Sequence, residues 1–425
     1  MNQLNIFWFR RDLRLTDNTA LFYALNSDCP VLPIFIFDSQ ILDELPKDDA
    51  RVTFIHQQLN KINQELKKHG GSLEVFSGEP IHIWKEILAK YPVKKVYTNK
   101  DYEPYAIHRD QKIEAFLIQE NIEFHSFKDQ VILEESEVMK DDGTPYTVYT
   151  PYSKKWRSGL KENDLKPIKT KLKNLYSFNS TFPSLEEIGF KPSSIQVIDF
   201  RIDDLDGYAE NRNFPAKDAT SYLSPHLRFG TIGIRELFSR IPEKNISFTN
   251  ELIWREFFMQ ILFHFPDVIG ENFKRKYDGI QWRNNEKDFE KWSQGKTGYP
   301  MVDAGMRQLN ETGYMHNRVR MVVAGFLCKH LLIDWRWGEA YFAKKLLDYE
   351  LSSNNGNWQW AAGTGCDAAP YFRVFNPSEQ IKKFDPKMEY VRKWVPDLDD
   401  ADYQPIVDHK FARERALRVY KEGLA

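Results

Sequence analysis

The first third of the chain alternates short apolar segments with helical patterns. The apolar segments are LNIFWFR, CPVLPIFIFD, SLEVFSG, KKVYTNK and IEFHSF, and such continuous runs are typical of strands buried on both faces. Strands that alternate with helices form βαβ units, which give a parallel sheet covered by helices on both sides. The pattern therefore predicts an α/β domain with a doubly wound, Rossmann-like parallel sheet over residues 1–130.

The rest of the chain changes character twice. Residues 131–195 combine TPYTVYTPYSKKW with a stretch rich in Lys, Ser, Asn and Pro, and the absence of sustained periodicity predicts an interdomain linker. From about residue 200, helical patterns such as FTNELIWREFFMQILFHF and NRVRMVVAGFLCKHLL replace the strand signals. We therefore expect an all-helical domain over residues 196–425.

Length and composition agree with two domains. The chain has 425 residues, of which 42% are hydrophobic, and single cores rarely grow beyond roughly 250–300 residues. Its three cysteines form no disulfide or metal pattern, its N-terminus has no apolar signal, and no apolar run is long enough to span a membrane. A cytoplasmic, monomeric protein with no metal and no membrane partner is expected.

Charge and motifs restrict the ligands that the chain could bind. The net charge is −2, from 59 basic and 61 acidic residues, so a nucleic-acid site would have to be a local basic patch. No strand is followed by GxGxxG or by GxxxxGK[ST], so the usual dinucleotide and phosphate markers of α/β domains are missing.

Tryptophan is concentrated in the predicted helical domain, which holds eight of the eleven. A large helical core would use such rings, but LSSNNGNWQWAAGTGCDAAPYF is too polar for an ordinary core. On a helix, Trp358 and Trp360 would point about 200° apart and so serve different surroundings. One ring could face a cofactor or an electron path, and the other could stack on an unpaired base.

Several long motifs resemble the DNA photolyase and cryptochrome family, and most closely the class I cyclobutane pyrimidine dimer photolyases. They are FWFRRDLRLTDNTAL, TPYTVYTPYSKKW, GKTGYPMVDAGMRQLNETGYMHNRVRM, LLIDWRWGEAYF and the Trp-Gln-Trp segment that ends in CDAAPYFRVFNP. The resemblance covers essentially the whole chain. It implies FAD in the helical domain and at most an accessory light-harvesting chromophore in the α/β domain, which explains the missing glycine-rich motif.

The resemblance also implies which residues hold the flavin. The diphosphate would be bound by Tyr208, Thr220, Ser221, Tyr222, Leu223 and Ser224, and the ring would be flanked by Arg320, Asp348 and Glu350. Asn354 would face flavin N5, where an amide hydrogen-bonds without readily donating a proton, and plant-type photoreceptors carry Asp there instead. The photoreduction chain would consist of Trp358, Trp335 and Trp282.

A lesion site follows from the same resemblance. Excited reduced FAD (FADH⁻) would give an electron to a pyrimidine dimer flipped out of DNA, and the electron would return after the ring opens. Trp254 and Trp360 would form the walls, Glu251 would hydrogen-bond the dimer and Met321 would touch it. Related (6-4) photolyases carry histidine at the positions of Asn317 and Met321, so the cyclobutane dimer is favoured. DNA phosphates would be contacted by Arg212, Arg255, Arg318 and Arg373.

Some points stay open at the level of sequence. The family's Arg-Asp element reads Arg212-Asn213 here, and only Glu103 resembles an antenna contact, so a folate, a deazaflavin, another flavin or no antenna are all compatible. A cryptochrome-type photoreceptor and a (6-4) photolyase are the alternatives, along with a flavin electron-transfer protein that does not bind DNA. The short stretch after Trp394 and the presence of Asn354 count against signalling.

Overall fold

The computed structural model describes residues 3–203 and 205–424. The chain folds into two compact units, and each unit is assembled from three separate segments. The first unit consists of Met1–Glu137, Ser158–Asp203 and Tyr222–Pro242. The second unit consists of Val138–Arg157, Asp204–Ser221 and Glu243–Ala425.

A parallel sheet forms the centre of the first unit. Its strands are β1 (Leu4–Phe9), β2 (Val31–Asp38), β3 (Glu74–Gly78), β4 (Val93–Asn99) and β5 (Glu123–Phe127). All neighbouring pairs are parallel, in the order β3-β2-β1-β4-β5. Every residue of β1 and β2 is buried, as expected for central strands covered on both faces. The predicted doubly wound parallel sheet is confirmed.

Local sequence signals set where several helices begin. The helices up to residue 240 are α1 (Thr19–Leu25), α2 (Ser39–Leu42), α3 (Ala50–Lys68), α4 (Pro80–Lys90), α5 (Pro104–Gln119), α6 (Tyr149–Gly159), α7 (Tyr208–Asn211), α8 (Ser224–Phe229) and α9 (Ile234–Arg240). The side chains of Asn18 and Asp49 accept backbone N–H bonds at the starts of α1 and α3. Proline is the first residue of both α4 and α5, where its missing N–H costs nothing.

A buried ionic cluster ties distant segments of the first unit together. Asp129 accepts hydrogen bonds from Arg14 at 2.5 Å and from Arg235 at 2.7 Å, and Arg235 also binds Asp17 at 2.7 Å. Burial alone would raise the pKa of Asp129, but the charges of Arg14 and Arg235 outweigh it and hold the pKa below its usual value. Gly230 lies nearby with φ of +65°, and a Cβ there would collide with the backbone of Arg11.

The second unit is helical, which confirms the predicted fold class for the C-terminal part. Its longer helices are α10 (Ile246–His264), α11 (Glu286–Ser293), α12 (Pro300–Thr312), α13 (Asn317–Gly325), α14 (Trp335–Lys345), α15 (Leu351–Ala362), α16 (Pro377–Phe384), α17 (Glu389–Trp394) and α18 (His409–Gly423). Short 3₁₀ turns occupy Pro266–Ile269 and Arg275–Tyr277, and a π-helical turn occupies Phe326–His330.

Two glycines allow the central helices of this unit to pack closely. A Cβ on Gly338 of α14 would run into the indole of Trp358 on α15, and a Cβ on Gly356 of α15 would run into Phe258 on α10. Both positions therefore require a residue without a side chain. Within the described ranges, no helix is both long enough and apolar enough to cross a bilayer.

Candidate functional site

Three helices of the second unit carry ten of the candidate residues. Glu251, Trp254 and Arg255 lie on α10, whereas Asn317, Arg318, Arg320 and Met321 lie on α13, and Asn354, Trp358 and Trp360 lie on α15. The helices α10 and α13 both pack on α15. The fold of this unit therefore assembles residues from three parts of the sequence.

The predicted arginine and aspartate pair beside the flavin forms in the structure. The Nη2 atom of Arg320 lies 2.9 Å and 3.2 Å from the two carboxylate oxygens of Asp348, and its Nε donates to the carbonyl of Met315 at 2.8 Å. Glu350 is buried and lies 3.4 Å from Nε of Arg255. The guanidinium of Arg320 is thus fixed on both sides, which suits a group that must balance a negatively charged ring.

Asn354 has a partner that the sequence did not reveal. Its amide nitrogen donates to Oε1 of Glu339 at 2.7 Å and to the backbone carbonyl of Glu339 at 3.1 Å. Burial raises the pKa of Glu339, and the hydrogen bond from Asn354 offsets part of that rise. Glu339 lies on α14, fifteen residues earlier, so only the packing of α14 on α15 brings the two together.

The three tryptophans of the predicted relay lie in the same unit in different surroundings. Trp358 is 2% exposed and packs edge-on against Phe342, with ring centroids 4.9 Å apart. Trp335 is fully buried and donates from its indole nitrogen to Asn272 at 2.9 Å. Trp282 is half-buried and packs edge-on against Tyr420 at 5.9 Å. Their function as a relay remains a prediction.

The candidate lesion side has an aromatic wall of two rings. Tyr149 of α6 stacks on Trp254, with centroids 3.7 Å apart and planes within 4° of parallel. The hydroxyl of Tyr149 donates to the backbone carbonyl of Asn250 at 3.0 Å. Glu251 lies on α10 about one turn before Trp254, and burial together with the negative charge of Glu251 raises the pKa of Tyr149 to about 12. Trp360, the other predicted wall, is half-buried.

Glu251 is bound to one of the predicted phosphate contacts. Its carboxylate lies 2.6 Å from Nη1 of Arg212, and the guanidinium of Arg212 also lies over the ring of Tyr208 at 5.6 Å. Sequence reasoning placed Glu251 and Arg212 on two different ligands and did not foresee their ion pair. A DNA phosphate that binds Arg212 would therefore compete with Glu251 for the same guanidinium.

Arg318 has a neutral partner, Asn213. Its Nη2 donates to the side-chain oxygen of Asn213 at 2.6 Å, and its Nη1 lies 3.8 Å from the sulfur of Met321. The guanidinium also lies over the ring of Phe384 at 4.3 Å. Because an amide does not neutralise an arginine, this region keeps more positive charge than an Arg-Asp element would leave.

His316 lies at the start of α13, close to three arginines. Burial and the charges of Arg318, Arg320 and Arg212 lower its pKa to about 4. Its Nδ1 atom accepts the backbone N–H of Arg318 and so caps α13. His316 is therefore neutral near pH 7 and is engaged by the main chain.

The predicted diphosphate segment has an unusual backbone. Thr220 and Ser221 belong to the second unit, and residues 222–224 belong to the first. Tyr222 adopts φ of +52°, a left-handed conformation that is uncommon for an aromatic residue. Ser224 begins α8, and no side-chain hydrogen bond caps that helix, so Ser224 is not part of an ordinary N-cap.

Glu103, the single candidate antenna contact, lies among arginines of the first unit. Its Oε1 accepts from Arg11 at 3.1 Å and from Arg228 at 2.9 Å. The neighbouring Asp101 also binds Arg11 at 3.1 Å. Glu103 follows β4 and Arg11 follows β1, which places this cluster at the carboxyl ends of the two strands where the strand order reverses.

Both parts of the chain match family models of DNA photolyase. Residues 5–171 match the family model described as DNA photolyase, and residues 248–404 match the FAD binding domain of DNA photolyase. A curated deoxyribodipyrimidine photo-lyase of Agrobacterium fabrum is 38% identical over 98% of this chain and 97% of that protein.

Two solved structures are similar to this chain over nearly its full length. A bacterial class III photolyase from Agrobacterium tumefaciens superimposes with a TM-score of 0.89 at 36% identity, covering 100% of this chain and 98% of that one. An archaeal photolyase from Sulfolobus tokodaii, solved with two FAD molecules, gives 0.86 at 38% identity over 98% and 99%. With both regions matched in order and relatives similar along their entire length, this chain belongs to the DNA photolyase family and carries its FAD-binding domain.

Proposed function

We propose that this protein repairs cyclobutane pyrimidine dimers in DNA with the energy of light. The observation that carries the proposal is the lesion-side cluster, in which the Tyr149–Trp254 stack lies beside Glu251 and Arg212. A flipped pyrimidine pair presents flat rings, polar edges and flanking phosphates. Aromatic faces, a carboxylate and a guanidinium group recognise these three features in turn.

The residues of the helical unit fit a bound flavin. When FAD is bound and reduced, it supplies the electron that light drives to the dimer. Arg320, fixed by Asp348, would balance the negative charge of the ring. Because the amide nitrogen of Asn354 is committed to Glu339, we expect its oxygen to accept an N–H of the reduced ring.

On the lesion side, the residues would hold the dimer and exclude water. Trp254 and Trp360 would stack on the flipped bases, each stack contributing roughly 1–3 kcal/mol. Glu251 would hydrogen-bond the pyrimidine edge once a phosphate draws Arg212 away. Met321 would make an apolar contact with the dimer, and Arg318 would bind the phosphate backbone of the DNA.

The (6-4) photolyase alternative needs a histidine that can give a proton to the lesion. Asn317 and Met321 cannot do so, and His316 is neutral near pH 7 because its pKa is lowered to about 4 by burial and three arginines. This supports the cyclobutane dimer as the substrate. The class I resemblance stays a prediction, since a class III photolyase is similar over the whole chain.

Illumination of the reduced holoenzyme with two oligonucleotides tests the proposal. One oligonucleotide carries a single cyclobutane thymine dimer and the other carries a single (6-4) product, and recovery of thymine absorbance is followed in each. We expect recovery of the cyclobutane substrate alone, with a large loss in W254A and little change in the control W394A. No recovery despite intact flavin photoreduction would favour a photoreceptor, and recovery of the (6-4) product alone would reverse the substrate assignment.

An accessory chromophore is a second part of the proposal. Doubly wound sheets bind ligands where the strand order reverses, and the Glu103 cluster lies there. The visible absorption spectrum of the purified protein is the test. Bands beyond those of FAD would identify a folate or a deazaflavin, and a flavin content of two per chain would identify a second flavin. A spectrum of one FAD alone would remove the antenna from the proposal.

A further inference from the structure

Lys329 is a buried lysine that the mechanism above does not use. It lies in the π-helical turn Phe326–His330, which continues α13, and it is 2% exposed. Its ammonium group donates to the backbone carbonyl of Arg373 at 2.8 Å. Burial lowers its pKa to about 8, with the positive charge of Arg373 acting in the same direction.

Stability alone does not account for a lysine at this position. In the described part of the chain, the partner found for its ammonium group is the neutral carbonyl of Arg373 and not a carboxylate. Burying a charge without an opposite charge is costly, and an apolar side chain of the same length would fill the space more cheaply. Buried lysines with lowered pKa values occur preferentially at functional sites.

The main chain of the segment that Lys329 holds makes few hydrogen bonds to other parts of the unit at that point, although the ring of Tyr371 stacks on Tyr420. The chain between α15 and α16 has no regular secondary structure, and Phe372 and Arg373 are exposed on it. The backbone N–H groups of Arg373 and Val374 donate only within the segment, to Pro370 and Phe372. The hydrogen bond from Lys329 thus joins this segment to the helix that carries the lesion-side residues.

We infer that Lys329 is a positioning residue for DNA binding, which holds the main chain at Arg373 so that this arginine meets a phosphate in register with the lesion pocket. The inference rests on the proposed function. Asn317 and Met321 lie on α13, and Lys329 lies on the turn that extends the same helix. A single rigid element therefore sets both the pocket and the phosphate contact. The competing view is that Lys329 merely gives the carbonyl of Arg373 a hydrogen-bond partner.

The variant K329M separates these views, because methionine keeps the length and removes the donor. We expect the dissociation constant of dimer-containing DNA to rise about threefold to tenfold, the size of effect that the loss of one ordinary hydrogen bond produces. The repair rate at saturating DNA and the Tm of the holoenzyme should not fall. K344M removes the same charge from an exposed position of α14 and should change the dissociation constant less than about twofold.

A double-mutant cycle with R373A tests whether Lys329 acts through Arg373. R373A should weaken binding, and adding K329M to it should weaken binding less than about twofold further, because coupled residues are not additive. K329Q keeps an N–H donor and should bind DNA more tightly than K329M. Wild-type binding by K329M or by R373A, full additivity in the cycle, or equal binding by K329Q and K329M would overturn the inference.

The same measurements distinguish this inference from the proposed function. If the wild-type holoenzyme repairs dimers and R373A binds DNA weakly while K329M behaves like K344M, the inference alone is wrong. If the wild-type holoenzyme repairs no dimer under illumination, the proposed function fails and the inference fails with it.

Discussion

The contact between Gly338 and Trp358 allows a direct test of how the helical unit holds its central tryptophan. A Cβ added to Gly338 would lie 2.6 Å from Cδ2 of Leu327 and closer still to two carbons of the Trp358 indole. Because carbon atoms attract best at about 3.5–4.0 Å, the substitution G338A forces a displacement of about 1 Å. The two neighbours of the added carbon, Trp358 and Leu327, are both buried, so the indole of Trp358 must shift.

The expected magnitude is the difference between two opposing effects. Overpacking of a core costs about 1–3 kcal/mol, whereas replacing glycine by alanine inside a helix gains about 1 kcal/mol. We expect a net destabilisation of up to about 2 kcal/mol, which lowers the Tm of a unit of this size by up to about 8 °C. If Trp358 relays electrons to the flavin, G338A should also slow photoreduction.

Thermal unfolding of the holoenzyme and the bleaching of oxidised flavin under illumination are the two measurements. G325A is the matched control, because its added Cβ would meet Phe375 at 3.5 Å, an ordinary contact. This control should be as stable as the wild type or more stable by up to about 1 kcal/mol. Equal Tm values and equal bleaching rates for G338A and G325A would refute the packing argument.

Three further substitutions test other parts of the molecule. D129A leaves two buried arginines without their shared carboxylate and should cost about 3–5 kcal/mol, seen as a lower urea midpoint; an unchanged midpoint would contradict it. Arginine charges lower the pKa of Asp129. The stabilisation that the ionised Asp129 gives to the wild-type protein is therefore complete above about pH 4 and is lost in acid. Burial raises the pKa of Glu339, so ionising it costs stability as the pH rises from 4.5 through that raised value. E339Q keeps an acceptor for Asn354 and should show a flatter dependence of Tm on pH, whereas a curve parallel to the wild type would contradict this. W358F should suppress photoreduction of oxidised flavin and leave pre-reduced enzyme able to repair; loss of both activities would show that Trp358 has another function.

The sheet was predictable because its information is local. Continuous apolar runs bounded by helical patterns mark β1 and β2, and buried parallel strands are the structures that such runs form. Local patterns could not predict that Tyr222–Pro242 belongs to the first unit. That membership depends on contacts such as the one from Arg235 to Asp17, which spans 218 residues.

The candidate site also contains residues that a local motif marks and residues that only long-range packing brings together. Motifs on α10, α13 and α15 point to the flavin and lesion residues through resemblance, because each motif is a continuous stretch of sequence. Glu339 and Tyr149 were missed because their partners lie on other helices, and a lone Glu or Tyr in a helix carries no signal of its own. The ion pair between Arg212 and Glu251 was missed because the two residues were assigned to separate ligands.

The ionic cluster of the first unit also bears on how this chain folds as it leaves the ribosome. The last strand ends at Phe127, yet Arg235 is synthesised more than one hundred residues later. Until then, Asp17 and Asp129 would be buried with only Arg14 to compensate them. We therefore expect the nascent α/β unit to stay loosely folded until residue 242 has emerged, and a fragment ending at residue 137 to be far more sensitive to protease than the same region in the complete protein.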